Sequence, residues 1–189
     1  MSIRLRAYSL GYEGITLDRY VQVLKSHKIS VVIDVRETPW SYKPGFSKKP
    51  LSERLEAEQI SYVHLKAAGN PSKHRKMGLP QEEVIQLYKE HLEANLSCLG
   101  PIYDIIRLNR GDGAVCLLCF EEKPHDCHRK VILDRLAEQT GGLMTCHLNA
   151  REAASEKGIV AKRIPNTNNR KRARKHVEVP KNQRRIVAI

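Results

Sequence analysis

The chain has no apolar run approaching the roughly 18 residues that a membrane span requires, so no transmembrane segment is expected. Its first residues lack the apolar core of a signal peptide, and no exported leader is expected. It has neither the Walker pattern of a phosphate-binding loop nor the Gly-x-Gly-x-x-Gly of a dinucleotide fold. Five cysteines, an odd number in 189 residues, do not make a disulfide framework. Reduced thiols and a cytoplasmic location are the expectation. No second Cys-x-x-Cys accompanies Cys116-x-x-Cys119, and no spaced histidine pair completes a tetrahedral set. Residues three apart on a strand also point to opposite faces. Neither a metal nor a cofactor is therefore expected, and Cys116 reads as core packing.

Acidic residues are scarce at the C-terminal end. Residues 150–189 hold 12 of the 33 Lys and Arg but only 3 of the 21 Asp and Glu. The basic excess therefore describes a tail more than a domain. An α/β domain over 1–149 and a basic, flexible extension over 150–189 are expected. Arg170, Lys171, Arg172, Arg174 and Lys175 form a cluster able to neutralise several phosphates, with strongly salt-dependent binding. No aromatic residue interleaves with them, so base stacking by the tail is not indicated. The plain alternative is a solvating tail.

What is present before residue 150 is an alternation of short apolar runs with helical periods. Strands are predicted at 5–10, 29–35, 61–65, 115–120 and 143–148. Helices are predicted at 16–27, 48–58, 80–96, 101–108 and 127–139, with Thr16 capping the first. Segments 38–47 and 66–79 are too rich in Gly and Pro for regular structure. The pattern implies an α/β fold, a single three-layer domain with a mostly parallel sheet of about five strands. In such sheets ligands bind at the carboxyl ends of the strands. Tyr12, Arg36, both broken loops, Glu121 and Cys127 all follow strands, and so share one rim.

The densest chemistry lies in Ala-Val-Cys-Leu-Leu-Cys-Phe-Glu-Glu-Lys-Pro-His-Asp-Cys-His-Arg, residues 114–129. Asp126 is the expected N-cap, which puts Cys127 and His128 in the first helical turn. The helix dipole there, with Arg129, favours a thiolate or a bound phosphate. The plain alternative is a half-buried cysteine closing the helix start. Glu121 is suited to general-base or nucleophile work. Arg36 can hold a phosphate or carboxylate bidentately, or form a structural pair with Asp34. Tyr12, Lys48 and His64 are supporting ligands, although a lone His64 or His147 is more often structural. Lys43, Lys48, Lys73, Arg75 and Lys76 add charge to the rim loops.

Several of these pieces recur together. Ser9-Leu10-Gly11-Tyr12-Glu13-Gly14, Asp34-Val35-Arg36 with Pro39 and Ser41, and Gly45-Phe46-Ser47-Lys48 come first. Ile60-Ser61-Tyr62 with His64, Gly69-Asn70-Pro71, Cys119-Phe120-Glu121, Cys127-His128-Arg129 and His147 follow. On them the chain resembles the bacterial and archaeal family catalogued as domain of unknown function 488. The resemblance spans about residues 3–148 and omits the tail. One departure is Ala68-Gly69, where the family has Leu-Gly. The resemblance implies a fold and a site and names no activity.

The leading expectation is an enzyme-like α/β domain binding a phosphate-bearing ligand, a nucleotide or a nucleic acid (DNA or RNA), at the strand-end rim. Arg36 and Arg129 hold the anion, Glu121 does acid–base work with His128, and Cys127 is a thiolate nucleophile or a wall of the anion site. A thiol enzyme using Cys119 and Cys127 is the first alternative. A non-catalytic nucleic-acid-binding module, carried by the tail, is the second.

Overall fold

The computed structural model describes residues 5–111 and 113–150. Among the described residues five strands form one sheet: β1 (Arg6–Gly11), β2 (Ile29–Asp34), β3 (Ser61–His64), β4 (Ala114–Cys119) and β5 (Met144–Leu148). Their order across the sheet is β3-β2-β4-β1-β5, and every pairing is parallel. A parallel sheet needs helical returns and is covered on both faces, which is why β2 and β4 read as continuous apolar runs. The helices are α1 (Leu17–Ser26), α2 (Lys48–Glu56), α3 (Ser72–Lys76), α4 (Gln81–Glu93), α5 (Leu99–Leu108) and α6 (His128–Thr140).

The alternation of side chains along each strand divides the core in two. On one face Tyr8, Leu10, Val32, Cys116 and Leu118 pack against Tyr20 and Leu24 of α1 and Leu51 and Leu55 of α2. On the other, Val31, Ile33, Val115 and Leu117 meet Leu92 of α4, Ile102 and Ile106 of α5, and Leu133 and Leu136 of α6. Each fully buried aliphatic side chain in these layers contributes about 1.5–3 kcal/mol. The result is a three-layer α/β domain with helices on both faces of the sheet.

Local signals account for most boundaries. Thr16 caps α1 as expected, accepting from the backbone N–H of Arg19 at 3.2 Å. Gly141 closes α6 in the left-handed region, φ 61°. Helix α5 starts two residues earlier than predicted, because Pro101 is tolerated within a first turn whose N–H groups have no helical partner. The segment 66–79 is not irregular throughout. It holds a 3-10 turn at Lys66–Ala68 and the short helix α3. Tertiary contacts fix them: Tyr88 of α4 donates to the carbonyl of Ala68 at 2.7 Å, and Glu37 accepts from the backbone N–H of Ser72 at 2.6 Å.

Two features place the strand ends. Strand β4 lies between β1 and β2, so its exit at Cys119 stands beside Gly11 and next to the 34–37 segment. Gly11 is there because nothing larger fits. A Cβ on it would lie 1.8 Å from the carbonyl oxygen of Glu121. Gly69 likewise lets segment 66–79 approach β2's exit, since a Cβ there would meet the backbone nitrogen of Glu37 at 2.3 Å. Among the described residues no helix is long and apolar enough to cross a membrane. The basic cluster Arg170, Lys171, Arg172, Arg174 and Lys175 lies outside the described residues.

Candidate functional site at the strand ends

After Cys119 the chain leaves the sheet through Phe120-Glu121-Glu122 and folds back in a 3-10 turn, Pro124–Asp126. Proline at the first position of that turn fixes φ and needs no N–H partner. Cys127 follows in extended conformation, φ −135° and ψ 136°, and is itself the N-cap of α6. The expectation that Asp126 caps the helix is thus corrected. Asp126 is used up in closing the turn, and the cap falls one residue later. Cys127 makes no side-chain capping bond. Its sulfur is turned instead toward Cys119 and His128.

The return loop is held from beneath by Arg129, which is fully buried. Its Nη1 donates to the carbonyl of Glu121 at 2.5 Å, Nη2 to that of Glu122 at 2.9 Å, and Nε to Ser9 Oγ at 3.2 Å. The anion-holding role expected of Arg129 does not fit this arrangement. Its guanidinium is turned to two backbone carbonyls and Ser9, and it is not among the residues lining the cavity above. Its work is to fix the path of the Glu121–Glu122 backbone.

His128, 5% exposed, carries Nε2 at 2.7 Å from the carbonyl of Val35. A carbonyl only accepts, so Nε2 bears a proton and Nδ1 faces the two thiols. Nδ1 lies 3.6 Å from Cys119 Sγ and 3.9 Å from Cys127 Sγ. Cys119 donates to Glu121 Oε2 at 3.0 Å. The Tyr88 ring lies edge-on to the imidazole at 5.0 Å. The sulfurs of Cys119 and Cys127, a carboxylate oxygen of Glu121 and a ring nitrogen of His128 all lie within 4.8 Å of one another. Cys116 faces the opposite layer with Tyr20, as strand alternation requires. The groups that meet are therefore Cys119-x-Glu121 with Cys127-His128, and not Cys116 with Cys119.

Burial pushes the Cys119 thiol above its ordinary range, and pushes Cys127 well above it, with Cys119 and Glu121 adding to the effect. Burial therefore works against the stabilised thiolate expected at Cys127. Arg129, expected beside the thiolate, is bonded instead to the carbonyls of Glu121 and Glu122. Burial also opposes the charged forms of Glu121 and His128. Yet His128 and the two thiols hold Glu121 below the usual carboxylate range, and Cys127, Glu121 and the Val35 carbonyl hold His128 above the usual imidazole range.

Cys119, Glu121 and His128 form part of the wall of a cavity of about 490 Å³ at the carboxyl ends of the strands. Tyr12, Arg36, Lys43, Asn70 and Arg75 line it too, with Trp40, Tyr42 and Phe120 at the same opening. Arg36 is gripped by Asp34 and donates from Nη1 to Tyr12 at 2.8 Å. Tyr12 is stacked on Phe46 at 4.2 Å. Lys43 donates to the carbonyl of Tyr12 at 2.9 Å, and Arg75 pairs with Glu37 at 3.9 Å. Trp40 and Tyr42 are 56% and 91% exposed, their rings 4.2 Å apart.

Of the residues expected at the rim, Tyr12, Arg36, Glu121 and His128 meet at this cavity, and Cys127 sits behind it. Lys48 is exposed at the start of α2 and His64 donates to the carbonyl of Arg36 at 2.9 Å, and neither lines the cavity. Sequence reasoning passed over Trp40, Tyr42, Asn70 and Phe120 as site residues. The signal available was the chain's only tryptophan, beside Pro39 in a loop too broken for regular structure.

The model of a family described as "Domain of unknown function DUF488" matches residues 16–136. No curated protein and no solved structure matches the chain.

Proposed function

The chain belongs to the DUF488 family, and from that premise we propose that it is an enzyme-like domain binding a phosphate-bearing ligand, a nucleotide or a short single-stranded nucleic acid, in the strand-end cavity. The observation that carries the reading is the pairing of exposed aromatic rings with cationic side chains at one opening. Trp40 and Tyr42 offer stacking faces, and Arg36, Lys43 and Arg75 stand in the same wall. Base stacking on aromatic rings beside a cationic track is how single strands and nucleotides are held without a Walker loop. Asp34 and Tyr12 occupy three of Arg36's five N–H groups, which leaves two to offer a phosphate. The volume of about 490 Å³ suits a ligand of nucleotide size. The bound molecule would face Cys119, Glu121 and His128. Five free thiols fit a reducing, cytoplasmic compartment.

A thiol-exchange reading has one observation in its favour, the sulfurs of Cys119 and Cys127 within 4.8 Å. Burial and raised pKa values weigh against it. Titration of the full chain with mononucleotides, triphosphates and short single-stranded oligonucleotides, read by Trp40 emission, tests the leading reading. Saturable quenching that weakens with salt is expected. Unchanged emission and no binding of any of these probes would sink it.

A further inference from the structure

We infer that Cys119, Glu121, Cys127 and His128 form a binding site for a divalent transition-metal ion of zinc type, set in the wall of the strand-end cavity. Nothing in this inference depends on which molecule fills the cavity.

The distances come first. In tetrahedral zinc sites, with bonds of about 2.3 Å to sulfur and 2.0–2.1 Å to nitrogen or oxygen, neighbouring donors stand roughly 3.3–3.8 Å apart. The two sulfur-to-Nδ1 separations, 3.6 and 3.9 Å, already fall close to that edge length. The Cys119–Glu121 contact is a hydrogen bond of 3.0 Å and would open by about half an ångström as the ion replaces the proton. All four donor atoms lie within 4.8 Å of one another, so small side-chain rotations close the set.

Orientation is the second point. Metal-ligating histidines usually donate their other ring N–H to a carboxylate or backbone carbonyl, which fixes the ring. His128 does this with Val35 at 2.7 Å, and its remaining nitrogen faces both sulfurs. The start of α6 gives a third indication. A helix N-cap is normally Ser, Thr, Asp or Asn, and forgoing that cap costs helix stability. Here the cap position carries Cys127, whose sulfur does no capping and turns to the cluster. A broken local rule is what a functional position leads one to expect.

Donor chemistry selects the ion. Two thiols with an imidazole favour zinc over magnesium or calcium, which take oxygen donors. On binding, both thiols give their protons to solvent, and the sulfurs, the carboxylate and the neutral imidazole take the metal. Two thiolates and one carboxylate exceed the ion's charge by one, and Arg129 is bonded to the backbone carbonyl of Glu121 nearby. Cys119, Glu121 and His128 reach the cavity wall while Cys127 lies behind it, so the site borders the cavity on one side.

The test uses the full chain, reduced and stripped with a chelator, then titrated with Co²⁺ as a spectroscopic substitute and afterwards with Zn²⁺. Expected are one Co²⁺ per chain, the strong visible bands of a tetrahedral ion, a thiolate-to-cobalt charge-transfer band, and displacement of cobalt by zinc. Cys127→Ser and His128→Ala should weaken cobalt binding by at least about 100-fold. Cys98→Ser and Cys146→Ser should leave it unchanged. Glu121→Gln, at the partly exposed cavity side, guards against a variant that merely fails to fold. It should remain folded and alter the visible bands. Weak octahedral bands without charge transfer would overturn the inference. So would an unchanged spectrum in Cys127→Ser, or a Cys119–Cys127 disulfide that forms even with zinc present. Trp40 emission followed alongside separates the two proposals. Metal bound with no nucleotide response sinks only the cavity reading, and the reverse sinks only the metal site.

Discussion

Asp34 grips Arg36 with both carboxylate oxygens at the exit of β2, Nε donating to Oδ1 at 2.9 Å and Nη2 to Oδ2 at 2.6 Å. The carboxylate is fully buried and also accepts from Tyr62 at 2.6 Å. Removing one partner of such a pair strands the other charge away from water. Asp34→Ala should cost about 3–5 kcal/mol in urea denaturation. The paired change Asp34→Leu with Arg36→Met should cost less than Asp34→Ala alone. A loss under about 1 kcal/mol for Asp34→Ala would mean the pair behaves as a surface one.

The exposed rings make a separate prediction. Trp40 and Tyr42 contribute little to the core, so Trp40→Ala and Tyr42→Ala should leave the melting temperature nearly unchanged. Each should weaken binding of a short single strand about tenfold, the effect of losing one stacked base. Lys43→Ala should instead flatten the salt dependence measured by the same titration. Equal affinity in all three variants would remove the rim from the binding surface.

Thiol reactivity should follow exposure rather than helix position. Cys146 is exposed, Cys98 is intermediate, and Cys116, Cys119 and Cys127 are buried. Timed alkylation at neutral pH, read by mass spectrometry, should modify Cys146 first and Cys127 among the last. If Cys127 outpaces Cys146, the activated thiolate returns as the better description.

His147 gives a pH dependence whose sign can be worked out. Its Nδ1 lies 2.7 Å from Ser9 Oγ, which already accepts from Arg129. Burial, then the charges of Arg129 and Lys130, hold its pKa below the ordinary value. The unfolded chain therefore binds this proton more readily than the folded one. Stability from His147 is fully present above about pH 6.5 and is lost as pH falls through that value toward the lower folded pKa. Denaturation across pH 5 to 7 should show that loss, at about the range set by free histidine. His147→Asn should make this limb shallower. An unchanged slope would assign it to other groups.

Much of the fold was legible because burial on both sides of a parallel sheet leaves a mark on composition. The apolar runs ending in Asp34 and Cys119 could not be surface strands. Strand ends follow from connectivity, so the rim was legible too. Short pieces held by distant partners were not. Helix α3 is five residues long and stays in place through contacts such as Glu37 with Ser72. Arg129 showed the same limit. Beside Cys127 and His128 in the chain it read as an anion ligand, and only its three hydrogen bonds revealed a backbone clamp.

The amino-acid order alone determined the layers, the direction of the strands and the presence of thiol, carboxylate and imidazole after one strand, because periodicity and turn residues act over a few positions. Tertiary structure decided which of those groups face one another. His128 is aimed by Val35, 93 residues away, and Gly11 makes room for the Glu121 carbonyl from another strand. Such contacts depend on where separate segments come to rest, and no local pattern encodes that.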